Sequence, residues 1–354
     1  MKLRLFSGVL LVAMLGAVLF LVSCSSSQQG GTGPTQIIGA GSTFVYPLMS
    51  RWIADYHQKQ PNVQINYQSI GSGGGIQQLK KGLVDFGASD LALPDDQLKE
   101  MPALVQIPET AGPVCITYNL PQLKQPLKLS AKTLSGIYMG MVKNWHDPAI
   151  KADNPGVNLP NQAILVVHRS DGSGTTNIFT TYLSAVSPEW QSKVGKGLSV
   201  SWPAGLGGKG SEGVTGLVKQ SAGAIGYVEL NYADENKLPV AEIQNKAGKY
   251  VAPTAAGASA AIDAFSAELQ KDVRTPIVEP PASAPDAYPI SGLTFLLVPT
   301  SPSDAAKGAQ TKAFINYIIS DGQAITTDLH YSKLPSSLQQ IDKGLLDKVQ
   351  AGGH

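Results

Sequence analysis

Two periodicities take turns along this chain. Gln36-Ile37-Ile38-Gly39-Ala40-Gly41 is a short apolar run leading to a turn, the pattern of a buried strand. Tyr46 to Gln58 then places Leu48, Trp52, Ile53 and Tyr56 at helical spacing, with Pro47 in the first turn, where its missing N–H costs nothing. That stripe predicts a helix facing a core. Val63-Gln64-Ile65-Asn66-Tyr67 alternates apolar and polar, as a half-buried strand does. Gly71-Ser72-Gly73-Gly74-Gly75 reads as a loop, Ile76 to Leu83 returns to helical spacing, and Val84-Asp85-Phe86-Gly87-Ala88-Ser89-Asp90 is a short strand ending on a carboxylate. Pro113 to Tyr118 is a further apolar strand. Ile164-Leu165-Val166-Val167 repeats the scheme, passing through a polar turn into the periodic run Ile178-Phe179-Thr180-Thr181-Tyr182-Leu183. Lys271 to Pro289, rich in Pro and Ala, reads as loop, and no heptad or solenoid-length repeat is present. Strand, loop, helix, strand, repeated, predicts an α/β fold with ligand loops at the carboxyl ends of its strands.

The N-terminus follows other rules. Lys2 and Arg4 precede an almost unbroken apolar stretch, Val9 to Val22, too short and wrongly flanked for a membrane span. It ends in Leu21-Val22-Ser23-Cys24, which reads as a lipobox: residues 1–23 form a signal peptide and Cys24 becomes the lipidated N-terminus. An ordinary secretory signal that contains a cysteine, or an uncleaved anchor, are the alternatives. The polar Gly/Ser-rich stretch that follows makes residues 24–35 a flexible tether with a reach of roughly 20 Å. The chain is thus expected in the periplasm or at the cell surface, anchored by lipid to a bacterial membrane.

Charge and cysteine content narrow the field further. The chain carries 27 basic and 26 acidic residues, and losing Lys2 and Arg4 leaves the mature chain at a net −1. This argues against a nucleic-acid partner, which needs a basic face. The 331 residues left after cleavage are too many for one ordinary core and predict two domains. Lipidation of Cys24 would leave Cys115 alone, so no internal disulfide forms, and Cys115 reads as a small buried hydrophobe in its strand.

The chemistry sits in three loops of one grammar: Gly39-Ala40-Gly41-Ser42-Thr43-Phe44, Gly71-Ser72-Gly73-Gly74-Gly75 and Asp171-Gly172-Ser173-Gly174-Thr175. Each joins a strand to a helix. Small residues there leave free backbone N–H groups at a helix N-terminus, and such groups bind anions. Arg169 beside the third loop adds a planar fork suited to an oxyanion. Each loop alone is better explained by an ordinary N-cap; three in one chain, one next to an arginine, reverse that preference and point to an oxyanion site. Nucleotide motifs fail: the first loop lacks the last glycine of G-x-G-x-x-G, and Gly205-Leu206-Gly207-Gly208-Lys209-Gly210-Ser211 lacks the Walker spacing. His57, His146, His168, His330 and His354 are scattered, no H-E-x-x-H occurs, and neither Ser72 nor Ser173 sits in G-x-S-x-G. Metal and hydrolase readings are therefore weak, and no cofactor is expected. His168 faces away from Arg169 if the strand alternates.

These loops, with Asp85-Phe86-Gly87-Ala88-Ser89-Asp90, Trp202 to Gly210, Gly223-Ala224-Ile225-Gly226-Tyr227-Val228-Glu229 and Tyr331-Ser332-Lys333-Leu334-Pro335, resemble the phosphate-binding protein of the phosphate-specific ABC transporter across nearly all of residues 36–345. The resemblance implies a two-lobed periplasmic-binding-protein fold: residues 36–111 plus 288–354 as one lobe, 112–287 as the other, and a hinge crossed twice, near Ala111-Gly112 and near Ala287-Tyr288. It implies inorganic phosphate as ligand, held by Thr43, Phe44 (through its backbone), Ser72, Asp90, Arg169, Ser173, Gly174 and Thr175, with Asp171 orienting Arg169. It further implies a non-enzymatic receptor, expected as a monomer, that delivers phosphate to ABC permease subunits. Gly73 stands where the family pattern leads one to expect a second serine.

Asp90 makes chemical sense of that ligand. A carboxylate facing an anion repels it unless the anion has a proton to donate; hydrogen phosphate has one at neutral pH, and sulfate does not. Without the resemblance, Asp90 reads equally well as an N-cap for Leu91-Ala92-Leu93-Pro94. Two competing functions remain at this point: a receptor for arsenate, sulfate or molybdate, and a secreted phosphatase using Ser173, which lacks a suitably spaced histidine.

Overall fold

The computed structural model describes residues 34–350; the stretches expected as signal peptide and tether, with Cys24, lie outside them up to Gly33, as does His354. In chain order the elements are β1 (Thr35–Gly41), α1 (Tyr46–Lys59), β2 (Val63–Ser69), α2 (Ser72–Lys80), β3 (Phe86–Ser89), α3 (Asp95–Leu98), β4 (Leu104–Tyr118), β5 (Lys128–Leu129), α4 (Ala131–Tyr138), α5 (Pro148–Asp153), β6 (Leu165–Arg169), α6 (Gly174–Val186), α7 (Pro188–Lys193), β7 (Leu206–Gly208), α8 (Gly210–Gln220), β8 (Ala224–Glu229), α9 (Leu230–Glu235), β9 (Glu242–Gln244), β10 (Tyr250–Val251), α10 (Ala255–Ala264), α11 (Ser266–Lys271), β11 (Ser291–Pro299), α12 (Ala305–Ile319) and α13 (Ser336–Leu346).

One sheet of eight strands runs in the order β2-β1-β3-β11-β4-β8-β6-β7. Its ends are two parallel triplets built alike: β1 lies between β2 and β3, and β6 between β7 and β8. Between them lies an antiparallel pair, β11 and β4. β4 belongs to both halves. Its first part, Leu104 to Pro113, pairs with β11, and its second, Val114 to Tyr118, pairs with β8. The chain therefore passes from one half to the other at Pro113-Val114, beside its return at Ile290, whose carbonyl accepts from Val114 N at 2.8 Å. Pro108 and Pro113 can sit in this central strand because one lies at a bulge and the other where pairing partners change. The register skips from Thr294–Thr110 to Phe295–Pro108, so Glu109 is the unpaired extra residue.

The predicted helical stripe of α1 lies where expected: Leu48, Trp52 and Tyr56 are buried. The helix expected from Ile76 instead begins at Ser72 and runs through three glycines. Each glycine costs roughly 1 kcal/mol in a helix relative to alanine, and packing overrides that. A Cβ on Gly75 would lie 2.5 Å from the Ala40 carbonyl oxygen and the Gly41 Cα. The helix start thus rests directly on the end of β1. No helix begins at Leu91: α3 starts at Asp95, with Pro94 at its N-cap position and no side-chain cap.

The core explains a second feature that local pattern does not. Ala261, Ile262, Leu269 and Ile277 share a cluster with Phe295, Leu297, Leu334 and Leu338. So α10 and α11, which the sequence reading assigns to the middle lobe, pack with β11 and α13. Among the described residues no helix is long and apolar enough to cross a membrane.

Candidate anion-binding site

All six parallel strands end on the same kind of group. β1 leads into Ser42-Thr43-Phe44, β2 into Ser72 at the start of α2, and β3 into Asp90; β6 ends in Arg169, β7 leads to Ser211 in the first turn of α8, and β8 ends in Glu229. Ligands of open α/β sheets are held at the carboxyl ends of strands. Here two such ends face each other, and their polar side chains meet in a buried cluster.

Arg169 is its centre. Its Nε and Nη2 donate to the two carboxylate oxygens of Asp171 at 2.8 and 2.6 Å, a bidentate clamp that fixes the guanidinium plane. Gly210 N holds Asp171 from behind at 3.0 Å. Burial works to raise the Asp171 carboxyl, but the hydrogen bonds and charge of Arg169 outweigh it and hold the group below its ordinary range. The remaining nitrogen, Nη1, donates to Thr43 Oγ1 at 3.0 Å and to Ser211 Oγ at 3.3 Å, and those two hydroxyls are 2.9 Å apart.

Asp90 collects a second set. Its carboxylate accepts from Ser42 Oγ at 2.5 Å and from Ser72 Oγ at 3.4 Å. Ser72 Oγ in turn accepts from Asp90 N at 3.2 Å and from Gly174 N at 3.1 Å. Burial pushes the Asp90 carboxyl up to about 7, against the Ser42 hydrogen bond; Glu229 raises it and Thr294 and Arg169 lower it. Asp90 caps no helix. Phe44 offers a backbone N–H, which donates to Ser42 Oγ at 2.9 Å. Ser173 Oγ caps α6 by accepting from Thr176 N at 3.1 Å, leaving its own hydrogen free. Thr175 Oγ1 pairs with Glu229 at 2.7 Å.

The arrangement is a shell of hydroxyls, backbone N–H groups at helix starts, one arginine and one carboxylate. Such a shell suits a small, multiply hydrogen-bonded anion held by fixed dipoles. The comparisons agree. The family model described as the PBP superfamily domain matches residues 26–322. The phosphate-binding protein PstS of Xylella fastidiosa (strain Temecula1) is 44% identical over 313 residues, 88% of this chain and 85% of that one. PstS of Methanocaldococcus jannaschii is 38% identical over 347 residues, 91% of this chain and 88% of that one. The chain belongs to the PstS family of phosphate-binding proteins. Its fold is the two-lobed periplasmic-binding fold of that family. A high-affinity periplasmic phosphate-binding protein, PfluDING, solved with phosphate, superposes with a TM-score of 0.69 at 22% identity, covering 87% of this chain and 93% of that one. The phosphate binding protein of Stenotrophomonas maltophilia gives 0.63 at 18% identity, covering 88% and 93%.

Within this chain, Thr43, Phe44, Ser72, Asp90, Arg169, Asp171, Ser173, Gly174 and Thr175 all lie in or beside the cluster. Three members go beyond the sequence reading. Ser42 is the nearest partner of Asp90, Ser211 is the second hydroxyl on Arg169, and Glu229 is a buried carboxyl held to Thr175. A signal existed for two of them. Gly208-Lys209-Gly210-Ser211 has the same strand-to-helix grammar as the other loops, and Glu229 ends an apolar strand as Asp90 does. Gly73 has a steric reason: its Cβ would lie 3.1 Å from Gly172 Cα, and its N–H donates to the Gly172 carbonyl at 2.9 Å. His168 lies outside the cluster, stacked on Trp202 with ring centroids 4.8 Å apart. Cys115 is buried, with Sγ 3.1 Å from the Val228 carbonyl. Among the described residues no group of three His, Cys, Asp or Glu is placed to hold a metal.

Proposed function

We propose that this protein binds inorganic phosphate between its two lobes and hands it to the permease subunits of an ABC importer. It is a binding protein and not an enzyme, as its PstS relatives are named for binding. The ligands are Thr43, Phe44 N, Ser72, Asp90, Arg169, Ser173, Gly174 N and Thr175, with Asp171 orienting Arg169. The observation that carries this reading is the pairing of Asp90 with Ser42 and Ser72 inside a buried shell that also holds Arg169. One carboxylate in an otherwise attractive shell selects an oxyanion with a proton to give, and phosphate at neutral pH is such an anion.

The protein acts as a monomer in the periplasm or at the cell surface, with Cys24 carrying a lipid and residues 24–35 as the tether. The lipobox supports this. The chain crosses between lobes at Pro113-Val114 and again near Tyr288 to Ile290, with α10 and α11 moving with the lobe that contains α13. Titration calorimetry of the chain beginning at Cys24 tests the function: phosphate binds tightly, sulfate weakly, and a phosphomonoester is not turned over. Absence of phosphate binding overturns the proposal, and a preference for sulfate or molybdate replaces it with another oxyanion.

A further inference from the structure

Glu229 is the one carboxyl of the cluster that neither the clamp on Arg169 nor the recognition of the anion's proton requires. It ends β8 at the N-cap position of α9 yet caps nothing there. Its side chain turns inward and is buried. Oε1 is joined to Thr175 Oγ1 at 2.7 Å, and Oε2 has no hydrogen-bond partner among the described residues. The groups that face it are Arg169 on β6, Asp90 after β3, Cys115 on β4, Tyr232 on α9 and Tyr331 in the C-terminal segment. Only Arg169 is cationic, and its guanidinium is already clamped on Asp171.

The direction of the Glu229–Thr175 hydrogen bond decides what Thr175 can do. An ionised carboxylate only accepts, so it takes the single hydroxyl hydrogen of Thr175 and leaves lone pairs facing the anion. A neutral carboxylic acid donates its own hydrogen to Thr175 Oγ1 and frees the hydroxyl hydrogen for the anion. Charge points the same way. With Asp90, Asp171 and Glu229 all ionised, three carboxylates and a dianion would share one guanidinium in a buried site, which is prohibitive without a proton.

We propose that Glu229 is a positioning residue that takes up a proton when phosphate binds, reversing its hydrogen bond to Thr175 and turning that hydroxyl into a donor toward the anion. This rests on the phosphate reading given above. Burial already pushes the Glu229 carboxyl up, opposed by the hydrogen bond from Thr175 and by the charge of Arg169, and an anion in the shell pushes it further the same way.

The test compares the wild type with Glu229→Gln, whose amide donates to Thr175 at any pH. Phosphate affinity is measured by calorimetry from about pH 6 to 10, in buffers of differing ionisation enthalpy, so that proton uptake is counted directly. Asp90, Glu109 and phosphate itself titrate in both proteins, and because the Glu229 charge also raises Asp90 the same comparison is repeated in an Asp90→Asn background, where the difference belongs to position 229. On the alkaline side the wild type loses affinity more steeply, approaching an extra tenfold per pH unit for one proton taken up, and its proton uptake exceeds that of the variant. A constant affinity ratio at every pH, with equal proton uptake, overturns the proposal and leaves Glu229 as structural. Loss of all phosphate binding by the wild type instead overturns the phosphate reading. Should Glu229→Gln not fold, carbon-13 NMR of glutamate-labelled protein decides it. A buried glutamate in the wild type titrates at higher pH with phosphate than without, and Thr175→Val reduces that shift at saturating phosphate; an unmoved titration refutes the idea.

Discussion

At the scale of single residues the site is a problem of protons. Asp90, with a carboxyl raised to about 7, is neutral below that pH and charged above it. In the proposed phosphate reading the charged form accepts the proton of hydrogen phosphate and repels sulfate, and the neutral form can donate to either. Discrimination between the two anions is therefore greatest above about pH 7 and erodes as the pH falls. In Asp90→Asn the amide replaces the repelling carboxylate by a group with both donor and acceptor. The ratio of phosphate to sulfate affinity, measured by calorimetry at about pH 8, is expected to narrow by roughly 10- to 100-fold, the cost of one unsatisfied buried polar contact. An unchanged ratio would show that selectivity arises elsewhere in the shell. The sequence placed Asp90 at the end of an apolar strand, but only the family resemblance separated a ligand role from an ordinary N-cap. Glu229 carried that same signal at the end of its own strand, but its contact with Thr175 is set only by folding, which brings residues 54 positions apart to 2.7 Å.

At the scale of elements the recurring device is a strand that ends where a helix of small residues begins. The sequence shows this for β1, β2 and β6. It shows it less well for α2, where three consecutive glycines disguise a helix as a loop, because helix propensity weighs against them and only packing on β1 favours them. Gly75→Ala would place a methyl 2.5 Å from the Ala40 carbonyl oxygen. The end of β1 and the start of α2 must then move apart, an overpacking cost of about 1–3 kcal/mol. Chemical denaturation is expected to show that loss with an unchanged slope, and phosphate binding weakens as well because Ser72 moves with the helix. A variant of wild-type stability would mean that α2 does not bear on β1. The placement of α10 and α11 was not legible for a different reason. Their apolar residues declare a buried face, but nothing local says which core receives it, and here it is the one containing Leu334 and Leu338.

At the scale of the whole molecule, two halves that resemble each other in strand order are joined only through β4 and β11 at the sheet and meet again at the site. Thr43, from the first half, is held by Arg169, Ser211 and the Tyr232 hydroxyl, which donates to its carbonyl at 2.8 Å, all from the second. Gly73 meets Gly172, and Gly174 N meets Ser72. A contact of this kind can be broken without disturbing either half's own core. A Cβ on Gly174 would lie 2.5 Å from Asp90 Cβ, Asp90 Oδ2 and Ser72 Oγ, all on the opposite half. Gly174→Ala therefore pushes the two halves apart at the site, and so opposes the closure expected of a two-lobed binding protein. Overpacking of about 1–3 kcal/mol translates into phosphate binding roughly 5- to 150-fold weaker. The ligand-free melting temperature should stay close to that of the wild type, whereas the rise in melting temperature on adding phosphate should shrink in step with affinity. Small-angle scattering with saturating phosphate adds the geometric readout, since the variant stays more extended than the wild type. Unaltered affinity, or a loss of ligand-free stability as large as the loss in binding, would show that this glycine serves the fold of α6 and not the closing of the clamp.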